Sequence, residues 1–289
     1  MTGGCVGWVD SHHHVWDLVA GPPHAWLDEP DLAGIRRSFA LDELVPLAAA
    51  AGVSRTVLVQ VLGELAETEA FLALAAASPL VAGVVGWVDL TDPGVADVLG
   101  ALRERPGNLV GVRHLVQGEP DPEWLSRPDV RRGLKAVGAA GLAYDLLTKP
   151  VQLPAAIATA RALPEMTFVL DHLSKPPIAA GKLEPWARLV RELAAEPNVS
   201  CKLSGMVTEA DRAGWTVEQL RPYAATVLEA FGPARVMFGS DWPVCLLAAS
   251  YAEVVDAAEA LSAGLSEAER ADVFAGTAER AYGLRPTRA

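Results

Sequence analysis

Residues 7–17, GWVDSHHHVWD, carry a short apolar, strand-forming segment that runs directly into three histidines. A purification tag sits on a flexible linker. Here the histidines follow VGWV, so they read as part of a strand end. The stretch also discriminates between two α/β architectures. A doubly wound open sheet places a glycine-rich phosphate turn after its first strand. This first strand ends in imidazoles instead.

Seven further strand-like runs follow: 55–61, 81–90, 108–116, 141–147, 166–173, 198–205 and 234–242. They are short, rich in β-branched and aromatic residues, and mostly apolar, as strands covered on both faces must be. Helical stretches separate them, at 41–52, 66–78, 94–105, 129–141, 154–163, 184–196, 216–232 and 251–264. Segments 184–196 and 216–232 carry the clearest apolar stripes at three-and-four spacing. Eight strands alternating with eight helices predict an α/β protein, a single closed (β/α)8 or TIM barrel. No Pro- or Ser-rich linker divides the chain, so residues 1–289 are read as one domain. Residues 266–284 predict one or two extra C-terminal helices packed outside.

Composition narrows the function. The chain has 24 basic and 36 acidic side chains, a net charge of -12. That excludes a basic nucleic-acid-binding face. No charge-free apolar run reaches the length of a membrane span, and no signal peptide is read at the start. Cys5, Cys201 and Cys245 are odd in number and far apart. They read as reduced thiols in a cytoplasmic protein. The acidic surface neither requires nor forbids a homo-oligomer.

Barrel enzymes build their sites at the C-terminal ends of the strands. Seven of the eight runs place an ionisable residue there, and such groups are costly unless paired or used. By strand alternation Asp10, His12 and His14 share a face, while His13 points away and is read as helix-facing and bonded to backbone. His12, His14, His172 and Asp241 make a plausible N3O shell for one zinc ion. Asp241 equally suits a general base acting on water.

Taken together, the segments VDSHHHVWD, GVRHLVQGEPD, DHLSKP, KLSGMVTEAD and RVMFGSDWPVC resemble the amidohydrolase superfamily. More narrowly they resemble its lactonase-rich branch, with fuconolactonase-like sugar lactonases and 2-pyrone-4,6-dicarboxylate lactonase. The resemblance implies that His12 and His14 form the first-strand pair, that His172 is the sixth-strand histidine, and that Asp241 is the base. It places Arg113 and His114 near the substrate. The superfamily's two-metal members use a carboxylated lysine or glutamate on strand 4 and a histidine on strand 5. Here those strands offer Arg113 with His114 and Tyr144 with Asp145, so one zinc or none is expected.

The implied activity is hydrolysis of a small lactone, with Asp241 activating water and His172, the His12/His14 pair or zinc polarising the carbonyl. Trp16, Trp87 and Trp242 are candidates for aromatic walls, and Tyr144 for a substrate contact. Arg113, Lys175 and Lys202 could bind a substrate carboxylate. Lys202 is also read as salt-bridged within the barrel wall, and Lys175 as pointing to solvent. RHLVQGEPD favours the sugar type over the dicarboxylate. The alternatives are zinc-dependent amide hydrolysis or non-oxidative decarboxylation on the same barrel and, from another class, a non-catalytic sugar-binding barrel.

Overall fold

Strands β1 (Trp8–His13), β2 (Val53–Val59), β3 (Val81–Gly86), β4 (Leu109–His114), β5 (Ala143–Leu146), β6 (Phe168–Leu170), β7 (Val199–Leu203) and β8 (Val236–Phe238) pair in sequence order, all parallel. The computed structural model describes residues 7–284. Cys5 lies outside the described residues. Cys201 and Cys245 are free and buried. The ring closes where His14 N–H donates to the Trp242 carbonyl at 2.7 Å and Asp241 N–H donates to the His12 carbonyl at 2.8 Å. Barrel closure leaves the sheet no edge to protect.

The outer layer consists of α1 (Leu41–Ala50), α2 (Leu65–Ala77), α3 (Val95–Glu104), α4 (Pro128–Ala139), α5 (Leu153–Ala162), α6 (Trp186–Ala194), the single turn α7 (Met206–Glu209), α8 (Val217–Phe231) and α9 (Tyr251–Leu261). Local sequence explains their ends. Thr216 and Gln219 form a reciprocal cap at the start of α8, and Ser250 with Glu253 does the same for α9. Gly232, at φ 72°, ends α8. The stripe of α6 buries Trp186, Leu189, Val190 and Leu193 against the barrel.

Two expectations need correction. The runs 81–90, 166–173 and 234–242 outlast their strands. Apolar character continues because the loops entering the mouth are themselves buried, as with Val88 and Leu90. Of the C-terminal helices, α10 (Glu267–Ala271) buries no residue and lies outside, as expected, but α11 (Thr277–Tyr282) does not. Ala275, Ala278, Tyr282 and Leu284 cluster with the inward-facing Val9, Val57, Val59, Val85, Ala143, Val169 and Met237. The terminal segment therefore plugs the end of the barrel where the strands begin. Small residues make the room: a Cβ on Gly83 would lie only 3.2 Å from Leu284 Cδ2. An unpaired buried hydroxyl there would cost about 1–3 kcal/mol. Tyr282 avoids it by donating to the Asp145 carboxylate, 2.9 and 2.8 Å from its two oxygens.

Candidate active site

The end of β1 does not alternate simply. Its pairing with β2 slips between Asp10 and His13. Asp10 consequently leaves the face of His12 and His14, contrary to the period-two reading. Its carboxylate accepts from His12 N–H, Ser240 N–H and the Tyr251 hydroxyl of α9, at 3.1, 2.8 and 3.2 Å. It ties β1 to β8 and to the helix layer, and burial raises its pKa to about 6. His13 points outward as expected, but its partner is the Thr56 hydroxyl at 2.9 Å.

His12 and His14 turn inward, with their Nε2 atoms 3.1 Å apart. His14 Nδ1 donates to the Val59 carbonyl at 2.7 Å. His172 arrives differently from a strand residue. After β6 the chain runs through four left-handed residues, His172, Leu173, Ser174 and Lys175, at φ 50°, 53°, 58° and 49°. Each costs roughly 1–2 kcal/mol, so the surroundings must impose the path. Trp186 Nε1–H holds the Leu173 carbonyl at 2.6 Å, Ser174 bonds Thr148 at 2.8 Å, and His172 Nδ1 meets Ser204 Oγ at 2.8 Å. Gly205, at φ 63°, lets the next loop lie against this ring, where an added Cβ would come 2.7 Å from His172 Nδ1.

Asp241, also left-handed at φ 57°, faces these imidazoles. Its Oδ1 is 3.4 Å from His14 Nε2, 3.8 Å from His12 Nε2 and 3.9 Å from His172 Nε2. Burial alone would raise its pKa. The imidazoles of His172 and His14, with Lys175, outweigh burial and hold it below the ordinary carboxylate value. For His172, burial dominates and lowers its pKa to about 4. The site thus presents an ionised carboxylate opposite a neutral ring at neutral pH.

Beneath the imidazoles lies a charged floor without solvent access. Lys202 Nζ is 2.5 Å from Asp145 Oδ2, 2.9 Å from Asp171 Oδ1 and 3.1 Å from His12 Nδ1. Arg113 Nη1 donates to Asp171 Oδ2 at 3.0 Å, and Nη2 donates to the Gln60 carbonyl. Two cations and two carboxylates balance. Removing one member of such a buried group typically costs about 3–5 kcal/mol.

The remaining expected residues divide. His114 stays at the rim: its Nε2 meets Glu119 at 2.7 Å, its Nδ1 accepts from Trp87 Nε1–H at 3.1 Å, and its ring stacks on Trp124. Trp87 is half-buried beside it. Tyr144, by contrast, faces the helix layer, with its ring against Phe168. Trp242 packs edge-on to Phe39, 1% exposed, and Trp16 is buried among Trp26 and Phe39. Arg113 and Lys202 are committed to the floor, so Lys202 follows the salt-bridged reading. Lys175 pairs with Glu209 at 3.7 Å. The sequence pattern assigns no role to Asp145, Asp171, Ser204 or Tyr282. Asp145 shares the inward face of β5 with Ala143, which only the register of the whole ring reveals. Nothing local marks Tyr282.

Donor atoms of His12, His14 and Asp241 lie within 4.8 Å of one another, a spacing that admits one metal ion. The chemistry of the set is less favourable. Lys202 approaches His12 Nδ1, and Arg113 Nη1 lies 3.3 Å from His12 Nε2. Two fixed cations on one ring oppose a dication there. His14, Asp241 and His172, whose Nε2 lies 3.9 Å from Asp241 Oδ1, remain as donors, the number of protein ligands in a usual catalytic centre. The residues present thus offer a possible site for one metal ion.

Fold and site together define a barrel hydrolase that sets imidazoles and one carboxylate around a polar mouth. The sequence pattern of the amidohydrolase family matches residues 9–284, and the chain belongs to that family. The L-fucono-1,5-lactonase of Burkholderia ambifaria is 40% identical over 247 residues, 85% of this chain and 83% of that protein. The protein of the same name from Burkholderia multivorans is 39% identical over 287 residues, 96% of each. A crystal structure of an amidohydrolase from Burkholderia multivorans with bound zinc superposes with a TM-score of 0.91 at 38% identity, covering 96% of this chain and 99% of that one.

Proposed function

We propose that this chain hydrolyses the ring ester of a sugar lactone, an aldonic acid lactone, with Asp241 as the base. The observation that carries the reading is the Asp241 carboxylate with three imidazoles within 3.9 Å of one oxygen. Similarity to the two L-fucono-1,5-lactonases supports the substrate class.

Asp241 takes a proton from water as the water oxygen bonds to the lactone carbonyl carbon. Negative charge gathers on the carbonyl oxygen, where imidazole N–H groups stabilise it. Collapse breaks the bond from that carbon to the ring oxygen. The departing oxygen takes the proton held by Asp241, giving the open hydroxy acid. The floor bears on the substrate as well. Arg113 and Lys202 are satisfied by Asp145, Asp171 and Gln60, and Lys175 by Glu209. No buried cation is left over, among the described residues, for the carboxylates of a dicarboxylate lactone. His114, Glu119 and Trp87 suit a neutral polyol at the rim.

The test is proton release from a panel of aldonic acid lactones, with and without chelator. Turnover that survives chelation is expected. Loss of all turnover with chelator, and no lactone opened without it, would favour the metal-dependent amidohydrolase or decarboxylase instead.

A pH profile provides a second check. Asp241 is ionised above the ordinary carboxylate range, and His172 is neutral above about 4. The charged or titratable groups facing Asp241 are His12, His14, His172, Lys175 and Glu209. kcat/KM should fall as pH drops through about 4, where His172 gains a proton. A profile that stays level below that point contradicts the assignment.

A further inference from the structure

A cavity of about 660 Å³ lies between the chain that leaves β1 (15–24), the entry to α1 (38–41) and the segment 64–74 of α2 and its N-terminal approach. That volume suits a small molecule. None of His12, His14, His172 or Asp241 lines it. Trp16, Phe39, Leu41, Phe71 and Leu74 supply apolar wall. Its charged lining is Asp17, Glu64 and Glu67, with no lysine or arginine. Glu67 is only 8% exposed, and burial raises its pKa to about 7. Its Oε2 accepts from Val61 and Leu62 N–H at 2.8 and 2.9 Å. Among the described residues its Oε1 has no hydrogen-bond partner, and none of the three carboxylates is in a salt bridge. His24, 7% exposed, also lines the cavity. Its Nδ1 donates to the Pro22 carbonyl at 2.8 Å, and its buried Nε2 is unpartnered. In a neutral ring that nitrogen is an acceptor.

The side-chain donors of this wall are spent. The Trp16 indole N–H goes to the Arg37 carbonyl at 2.6 Å, and the Ser38 hydroxyl goes to Asp17 at 3.0 Å. Its acceptors are not. We propose that the cavity is a binding site for a small primary amine in its ammonium form, with the charge at Glu67 Oε1 and an alkyl or aryl body against Phe39 and Phe71. An ammonium has hydrogens to give and no lone pair, which matches a wall of unspent acceptors. A carboxylate ligand would meet three like charges. A purely apolar one would bury Glu67 without a counter-ion, which is costly. The inference does not rest on the lactonase reading, because the cavity shares no residue with the reaction centre.

The test is calorimetric titration of the full chain with 2-phenylethylammonium, beside 2-phenylethanol as its neutral counterpart and phenylacetate as an anionic one. At about pH 8 Glu67 is ionised and an alkylamine is protonated. Saturable binding of the ammonium is expected, about tenfold or more tighter than the alcohol, the worth of one charge-assisted hydrogen bond. The anion should bind weakest. Glu67→Gln keeps an oxygen for the Val61 and Leu62 N–H groups and removes the charge, so the advantage over the alcohol should shrink about tenfold. Ala70→Phe is measured beside it and decides the matter if the glutamine variant does not fold. Ala70 is exposed on α2 yet lines the cavity, so the new ring fills the space without entering the core. Ammonium binding should then weaken by about tenfold or more. No saturable binding of the ammonium, equal affinity for the alcohol, an advantage that survives Glu67→Gln, or binding untouched by Ala70→Phe each overturns the proposal.

Discussion

Asp241→Asn is expected to lower kcat by roughly 10²–10⁴-fold, the usual contribution of a positioned general base, while the barrel stays folded. The choice of asparagine matters. Asp241 sits at φ 57°, a left-handed conformation that Asn adopts more readily than most residues. Its backbone N–H still closes the barrel on the His12 carbonyl. Shape and backbone are therefore kept, and only the proton-accepting charge is lost. KM should move little, because the change keeps the shape of the side chain. The measurement is kcat and KM on the best aldonic acid lactone, beside a melting curve. Full activity in this variant would exclude Asp241 as the base.

The second large effect concerns Gly205→Ala. Two penalties coincide there. The left-handed backbone costs roughly 1–2 kcal/mol for a residue with a Cβ, and the new methyl would sit 2.7 Å from His172 Nδ1. The ring must move, and with it the bond to Ser204. A displacement of that order costs about a hundredfold in rate. Gly141→Ala separates the causes. Gly141 has φ 69° with nothing within 4 Å of an added Cβ, so that variant bears the backbone penalty alone. Equal kcat in the two alanine variants would mean that the placement of His172 is not limiting.

These residues show why the barrel was legible and the floor was not. Strand-forming runs alternating with amphipathic stripes are local patterns, and β1 through β8 follow them in order. The convergence of His12, His14, His172 and Asp241 was legible as well, because strand order fixes which ends meet. Three things defeated sequence reasoning. The slip at Asp10 breaks the period of two, so parity assigned that carboxylate to the wrong face. On β5, Tyr144 and Asp145 are adjacent, and only the register of the whole ring decides which one looks inward. Tyr282 meets Asp145 across 137 positions of chain, through packing that no short motif records.

The hydroxyl of Tyr282 has a consequence for deletions. Removing α11 exposes the inner valines of the barrel to water and leaves Asp145 without one of its two partners. A change made at the closed bottom of the barrel therefore reaches the imidazoles at its mouth, through Asp145, Lys202 and His12.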